Sequence, residues 1–355
     1  MKALLEGLGT RGIDMHMSEA LVSAYPPARR LDRPLWLLRE LLHRLPQVIG
    51  SYGSDVVILQ RELLSTIPTL EFLTKAPRIL DVDDAIWLHR RGIAANSIAR
   101  RVDHIVCGNQ YLADYFGQFG RPTTIIPTGV DTLRFLPRRE RRENRVIGWS
   151  GTSGGYRFLY DIEIPLSHLF RDHPEWKLRI VSDRPPEFKV IPAEKVEFIR
   201  WTETNEVETI AGMDIGIMPL ADDLWSRGKC SYKMLLYMAC GLPVVVSEYG
   251  MNRDVLARGF IGYGAVDDEG WYESLAALVK DPEARVRAGQ NGRDIIERHY
   301  SLDVVCDLWA MVQCHQPKLQ PCPRQAPRSS QPPWPSGDDQ ASAAQSGGLA
   351  GLAVM

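Results

Sequence analysis

The sequence is poor in the features that mark several protein classes at a glance. No pair among its six cysteines, Cys107, Cys230, Cys240, Cys306, Cys314 and Cys322, has C-x-x-C spacing, and no histidine cluster accompanies them. Neither a zinc site nor a disulfide framework is suggested, and reduced thiols of a cytoplasmic chain are the simpler reading. No run of about 18 apolar residues occurs, so no spanning helix is expected. Met1 to Asp14 lacks the apolar core of a signal peptide. Excess charge of either sign is absent too. The 42 Lys and Arg against 44 Asp and Glu leave a net charge of −2, which argues against a general nucleic-acid binder. Disorder throughout is excluded by a 45% hydrophobic and 24% charged composition, and 355 residues suggest two domains.

What is present is unevenly distributed. Residues 1–145 carry 21 basic and 16 acidic side chains, and the remainder 21 and 28. The first part is basic and the second acidic. Arg29, Arg30, Arg33, Arg39 and Arg44 make the front half dense in arginine, which permits a peripheral contact with the inner membrane face. Solvated helix faces are the competing reading. From His315 to Met355 prolines, glutamines, serines and glycines replace periodic apolar residues, so a disordered tail over 315–355 is expected.

Before the tail, short apolar runs alternate with helix-like stretches. Asp55–Leu59, Arg78–Val82, His104–Cys107 and Thr123–Ile126 form a first series. Val146–Trp149, Leu178–Val181, Val196–Ile199, Ile215–Met218 and Pro243–Val246 form a second. This is the pattern of an α/β chain with parallel sheets covered on both faces. It implies two doubly wound, Rossmann-like domains facing a cleft, at 1–137 and 138–314, with ligands beyond the carboxyl ends of the strands. The first domain opens on Leu4–Leu8, which reads as a helix before a second strand. Its leading strand and glycine-rich turn are missing from that position.

Two segments carry chemistry. Gly228-Lys-Cys-Ser-Tyr-Lys233 leads into a helix, a Gly-Leu-Pro turn and a buried strand. Ser231 is placed to cap that helix, and Lys229 and Lys233 flank an N-terminus suited to a diphosphate. Gly148-Trp-Ser-Gly-Thr-Ser-Gly-Gly155 follows a strand. Its glycines allow close approach to a phosphate, and Ser150, Thr152 and Ser153 bring hydroxyls. A plain strand–helix turn is the competing reading for this loop.

With Gln60-Arg-Glu62, Asp81-Val-Asp-Asp-Ala-Ile86, Gly108–Leu112, Ile126-Pro-Thr-Gly-Val-Asp131, Asp214–Leu220 and Tyr237-Met-Ala-Cys-Gly-Leu-Pro-Val-Val245, the chain resembles GT-B glycosyltransferases. It is similar to family 4 of the retaining, nucleotide-sugar-dependent enzymes over about residues 50–310. The resemblance implies transfer of a hexose from a nucleoside diphosphate sugar to an acceptor hydroxyl, in glycan, polysaccharide or glycolipid synthesis. It implies donor contacts at Ser150, Gly151 and Thr152, to which the helix start adds Lys229, Ser231 and Lys233, with Lys229 also counted as catalytic. No cofactor or metal is required. The family's two glutamates on the donor helix fall at Gly228 and Leu236, and its acceptor-side histidine falls at Asp83, followed by Asp84. Those paired carboxylates can orient an acceptor hydroxyl. Asp84 as a helix cap and Asp83 as a turn residue is the alternative. Asp81, Asp83 and Asp84 as a metal motif ranks low beside two lysines.

A second reading is a non-catalytic nucleotide-sugar-binding or partner-binding relative, suggested by the two missing glutamates. A sugar-nucleotide epimerase of the same fold ranks third.

Overall fold

A computed structural model describes residues 1–355 except 22–25, 28, 64–67, 76, 139–142, 315–349 and 355. The chain divides into two compact units, Met1–Pro127 with Leu302–Met355, and Thr128–Ser301.

In the first unit β1 (Ile13–Met17), β2 (Val56–Gln60), β3 (Arg78–Val82), β4 (His104–Cys107) and β5 (Thr123–Ile125) are parallel. In the second, β6 (Val146–Ser150), β7 (Lys177–Ser182), β8 (Val196–Arg200), β9 (Ile215–Met218), β10 (Val244–Ser247) and β11 (Gly262–Ala265) form a six-stranded parallel sheet ordered β11-β10-β9-β6-β7-β8. This is the order of a doubly wound dinucleotide-type sheet. Val56–Leu59, Ile215, Ile217 and Val244–Val246 are all buried. Helices on both faces leave no room for polar alternation, which is why these strands read as continuous apolar runs.

The first sheet contains a strand that composition did not reveal. β12 (Ala350–Val354) lies between β1 and β2 and pairs parallel with both, Met15 opposite Leu352 and Leu352 opposite Val56. The sheet order is β1-β12-β2-β3-β4-β5. β12 therefore stands where the leading strand of such a unit belongs. The tail expected to be disordered lies, over 315–349, outside the described residues. Its end departs from that expectation because a strand gains its stability from pairing partners at the other end of the chain.

The unit boundaries also differ from 137/138 and 314. Val130 N–H donates to the Tyr300 carbonyl, and Arg293 donates to the carbonyls of Thr132 and Phe135. Residues 128–137 thus belong with the second unit. The helix Leu302–Cys314 packs Val305, Cys306 and Trp309 against Leu4, Leu8 and Ile13 of the first. Arg11 fixes it there with 2.7 Å ion pairs to Asp303 and Asp307. Among the described residues no helix is long and apolar enough to cross a membrane.

Candidate functional site

The second sheet reverses its winding between β6 and β9: the chain proceeds outward from β6 to β7 and β8, and from β9 to β10 and β11. The connections leaving these two neighbours diverge at their carboxyl ends, which is where open α/β sheets take ligands. The glycine-rich loop 151–155 leaves β6, and the segment ending in the helix Tyr232–Ala239 leaves β9.

Trp149 is buried in β6 and its indole underlies the loop. A Cβ added at Gly151 would fall 2.9 Å from Trp149 ring carbons and 2.5 Å from Lys233 Cε, and one at Gly155 would fall 2.9 Å from the same ring. These glycines serve close approach. Lys233 extends along the loop, with Nζ 5.4 Å from the centroid of the Trp149 ring. Lys229 Nζ lies 4.7 Å from the ring of Trp225. Both lysines rest on indoles, where cation–π attraction orders them. Burial first, and Lys229 second, lower the Lys233 ammonium to about 8. A half-buried cation of that kind gains most when an anion arrives beside it.

The loop's own hydrogen bonds narrow its role. The Ser150 N–H donates to the Tyr237 hydroxyl at 2.8 Å, Gly151 N–H to the Val181 carbonyl at 3.0 Å, and Gly155 N–H to Thr152 at 2.9 Å. Ser153 spends both its N–H and its hydroxyl on Asp183, at 2.6 and 2.9 Å, and these bonds hold that carboxyl down to about 2. The loop is thus braced from beneath, and its cation comes from Lys233.

Ser231 departs from the capping expectation. No side chain caps the Tyr232–Ala239 helix, and Ser231 is buried in the left-handed region at φ 52°. Its hydroxyl donates instead to Asn252 Oδ1 at 2.7 Å. Asn252 donates to the Ser247 carbonyl at 2.9 Å, and the Ser247 hydroxyl bonds both the N–H and the carbonyl of Leu220 at 2.9 Å. This buried chain ties the helix start to the ends of β9 and β10. Gly241, at φ 69°, closes the helix: Leu242 N–H reaches back to the Tyr237 carbonyl and Gly241 N–H to Met238. That is a Schellman turn, and it explains the Cys-Gly-Leu-Pro sequence.

Of the two positions without carboxylates, Gly228 ends the short helix Leu224–Arg227 and Leu236 is buried in the core. Sequence reasoning passed over Trp149 and Asn252. A cleft lined by Arg138, Asn144, Asp214 and Arg285 opens at the amino edge of this sheet, away from the lysines.

In the first unit Arg61, Asp83 and Asp84 meet at the carboxyl ends of β2 and β3. Arg61 adopts φ 69°, costly for a residue with a side chain. Its N–H donates to the Asp81 carbonyl at 3.2 Å. The guanidinium lies 3.9 Å from Asp83 and 3.6 Å from Asp84. The short turn of helix that starts at Ile86 has Ala85, not Asp84, at its cap position and no side-chain bond there. Burial, reinforced by Asp83 and opposed by the amino terminus, raises Asp81 to about 7. Burial likewise raises Glu62. Asn109 caps the Gln110–Gly117 helix through a 2.9 Å bond from Leu112 N–H. Among the described residues no group of three or more His, Cys, Asp or Glu comes together as a metal set.

Comparison with known proteins adds to this geometry. No curated protein matches the chain. Residues 153–281 match the family model for glycosyl transferases group 1. Among solved structures, sucrose-phosphate synthase from Thermosynechococcus elongatus superposes with a TM-score of 0.63 at 13% identity, covering 88% of this chain and 91% of that one. Anabaena HepE in complex with UDP-glucose gives 0.60 at 15% identity over 79% and 84%. A glycosyltransferase from Rickettsia africae gives 0.60 at 13% identity over 81% and 83%. At such identities the likeness is one of fold. The chain is an α/β protein of two Rossmann-like parallel-sheet units matching GT-B structures, and its residues 153–281 match a glycosyl transferase group 1 domain.

Proposed function

We propose that the protein transfers a hexose from a nucleoside diphosphate sugar to an acceptor hydroxyl, with retention of configuration, in the synthesis of a glycan, polysaccharide or lipid-linked sugar. The observation that carries this reading is Lys233, laid across Trp149 against Gly151 at the switch point of the second sheet. A leaving diphosphate needs concentrated positive charge in a partly desolvated place. Lys233, Lys229 and the start of the Tyr232–Ala239 helix supply it, with the Ser150 and Thr152 hydroxyls beside them. No metal is required, because the lysines neutralise the charge, and turnover persists in excess chelator on this reading. HepE, a structural relative, is complexed with UDP-glucose, which makes uridine donors the first to try.

On the acceptor side Asp83 and Asp84, held by Arg61, orient the incoming hydroxyl. A product assay over a panel of donors and simple acceptors tests the reading. Donor binding monitored by thermal shift accompanies it, since a ligand of the folded state raises stability. Product formation that collapses in Lys229→Ala and Lys233→Ala supports transfer. Unchanged turnover in both variants overturns the site assignment.

A second reading, donor binding without turnover, is favoured by one specific observation. Neither Gly228 nor the buried Leu236 brings a carboxylate to the donor helix. A donor that binds and yields neither product nor isomerised sugar selects this reading.

A further inference from the structure

The helix Arg33–Gly50 buries charge and exposes leucine. The side it turns into the first unit holds Glu40 and Arg44, buried with Val48, and half-buried Leu37 and Leu41 beside them. Glu40 accepts from Leu21 N–H at 3.2 Å, and Arg44 donates to the Ser18 carbonyl at 3.2 Å and to Gln47 at 2.9 Å. The opposite side exposes an unbroken stripe of Leu35, Leu38, Leu42, Leu45 and Ile49, continued by Leu31 in the turn Arg30–Asp32 just before it, with Leu31 at 94%, Leu42 at 58% and Ile49 at 70% exposure. Their spacing alternates three and four residues and keeps them on one face. An ordinary surface helix buries this stripe. Here polar hydrogen bonds hold the helix on the domain and the leucines face outward. Contiguous apolar surface of this extent marks a contact with something else.

The charges beside the stripe indicate what. Arg29, Arg30 and Arg39 are exposed along it and Arg33 is half-buried, while Asp32 is the only exposed acid between residues 29 and 50. A second copy of the same helix would set arginines against arginines and offer no complementary e/g pairs. Pro34 and Pro46 also make it a poor coiled-coil strand. Apolar residues on one face rimmed by arginine suit the interface of an anionic bilayer, where leucines enter the acyl boundary and guanidinium groups meet lipid phosphates.

We infer that the exposed face of the Arg33–Gly50 helix is a docking surface for an anionic lipid bilayer. The topology gives this contact a consequence. The helix connects parallel strands β1 and β2, so it starts at the carboxyl edge of the sheet, the edge that carries Arg61, Asp83 and Asp84. A chain docked along the whole stripe lies with the helix flat on the lipid and that edge beside the surface, and the acceptor is then one held at a membrane. This consequence rests on the transferase reading, whereas the lipid contact does not.

The test is sedimentation of the full chain with sucrose-loaded vesicles of phosphatidylcholine alone or mixed equally with phosphatidylglycerol. The chain is expected to pellet with the anionic vesicles and to be released by high salt. Leu38→Ser with Leu42→Ser changes only exposed side chains. That variant should keep its melting temperature and lose at least about tenfold in the vesicle partition coefficient. Arg30→Ser with Arg39→Ser should lose the preference for phosphatidylglycerol. Light scattering without vesicles reports the rival occupant. Failure to pellet with anionic vesicles, equal pelleting by the double-serine variant, or a dimer that this variant converts to monomer without any vesicle binding overturns the inference. Loss of glycosyl transfer in solution leaves every one of these readouts intact, so the two readings fail separately.

Discussion

Replacing Lys233 by methionine separates function from stability in opposite directions. The methionine keeps the unbranched stem that packs beside Gly151 and over Trp149 and removes only the ammonium. In the folded protein that ammonium titrates at about 8 against the usual lysine value of 10.5, because burial and the neighbouring Lys229 disfavour its charge. An unfolded chain holds its proton more tightly, so the charged lysine costs the fold free energy at every pH below about 8. That cost is relieved as pH rises from about 8 toward 10.5. At 1.36 kcal/mol per pKa unit the penalty at pH 7 is about 2–3 kcal/mol for a side chain that keeps some solvent. Removing the charge should therefore raise the melting temperature at pH 7 by about 4–10 °C for a domain of this size. The gain should shrink at pH 10. Nucleoside diphosphate affinity should move the other way, falling by about 2 kcal/mol or more, or about thirtyfold, because a charge-assisted contact is lost. In the parent protein the same affinity should weaken as pH passes upward through about 8, with proton uptake on binding at pH 8–9. Scanning calorimetry at pH 7 and 10, with titration calorimetry of UDP at pH 7 and 9 in two buffers of different ionisation enthalpy, reads all five quantities. A variant that melts at or below the parent and still binds UDP equally well would refute the reasoning.

Three further outcomes follow from the same geometry. Gly151→Ala drives a methyl against the Trp149 ring and Lys233 Cε, so about 1–3 kcal/mol of stability and at least about tenfold in donor affinity should be lost, measured by urea unfolding and donor titration. Arg61→Gly removes a non-glycine residue at φ 69° together with the guanidinium facing Asp83 and Asp84. Stability should hold or rise by about 1 kcal/mol, while transfer to the acceptor falls and donor affinity stays, as a steady-state assay alongside UDP titration will show. Ending the chain after residue 349 deletes β12 from between β1 and β2. Amide exchange in β1 and β2 should then accelerate, and a synthetic peptide of residues 349–355 should restore protection; unchanged exchange would remove β12 from the sheet.

Much of the architecture was legible because it depends on local pattern. Val-Val-Ile-Leu, Ile-Gly-Ile-Met and Pro-Val-Val-Val runs between helices announce parallel strands buried on both faces, since such strands have no solvent face to alternate with. Lys229 and Lys233 flank the start of a helix that the sequence announces, and each is found against an indole, Trp225 and Trp149 respectively. Other features were illegible because their causes lie far along the chain. Ser231 carries the residue type of a helix cap. A buried Asn252 draws its hydroxyl away and holds its backbone in the left-handed region. The glycines of the 151–155 loop suggested a phosphate cradle. The N–H groups of Ser150, Gly151, Ser153 and Gly155 were already claimed by Tyr237, Val181, Asp183 and Thr152.

By itself, then, the sequence determined the fold class, the alternation of strand and helix, and the residue types at the carboxyl edge of the second sheet. These follow from hydrophobic period, backbone sterics and charge, which act between near neighbours. Only the tertiary structure decided that Ala350–Val354 completes the first sheet, that Leu302–Cys314 returns to the first unit, and that the Arg33–Gly50 helix buries Glu40 and Arg44 while exposing its leucines. Those outcomes depend on which distant surfaces and hydrogen-bonding edges are left to be matched, and no local window of residues contains that information.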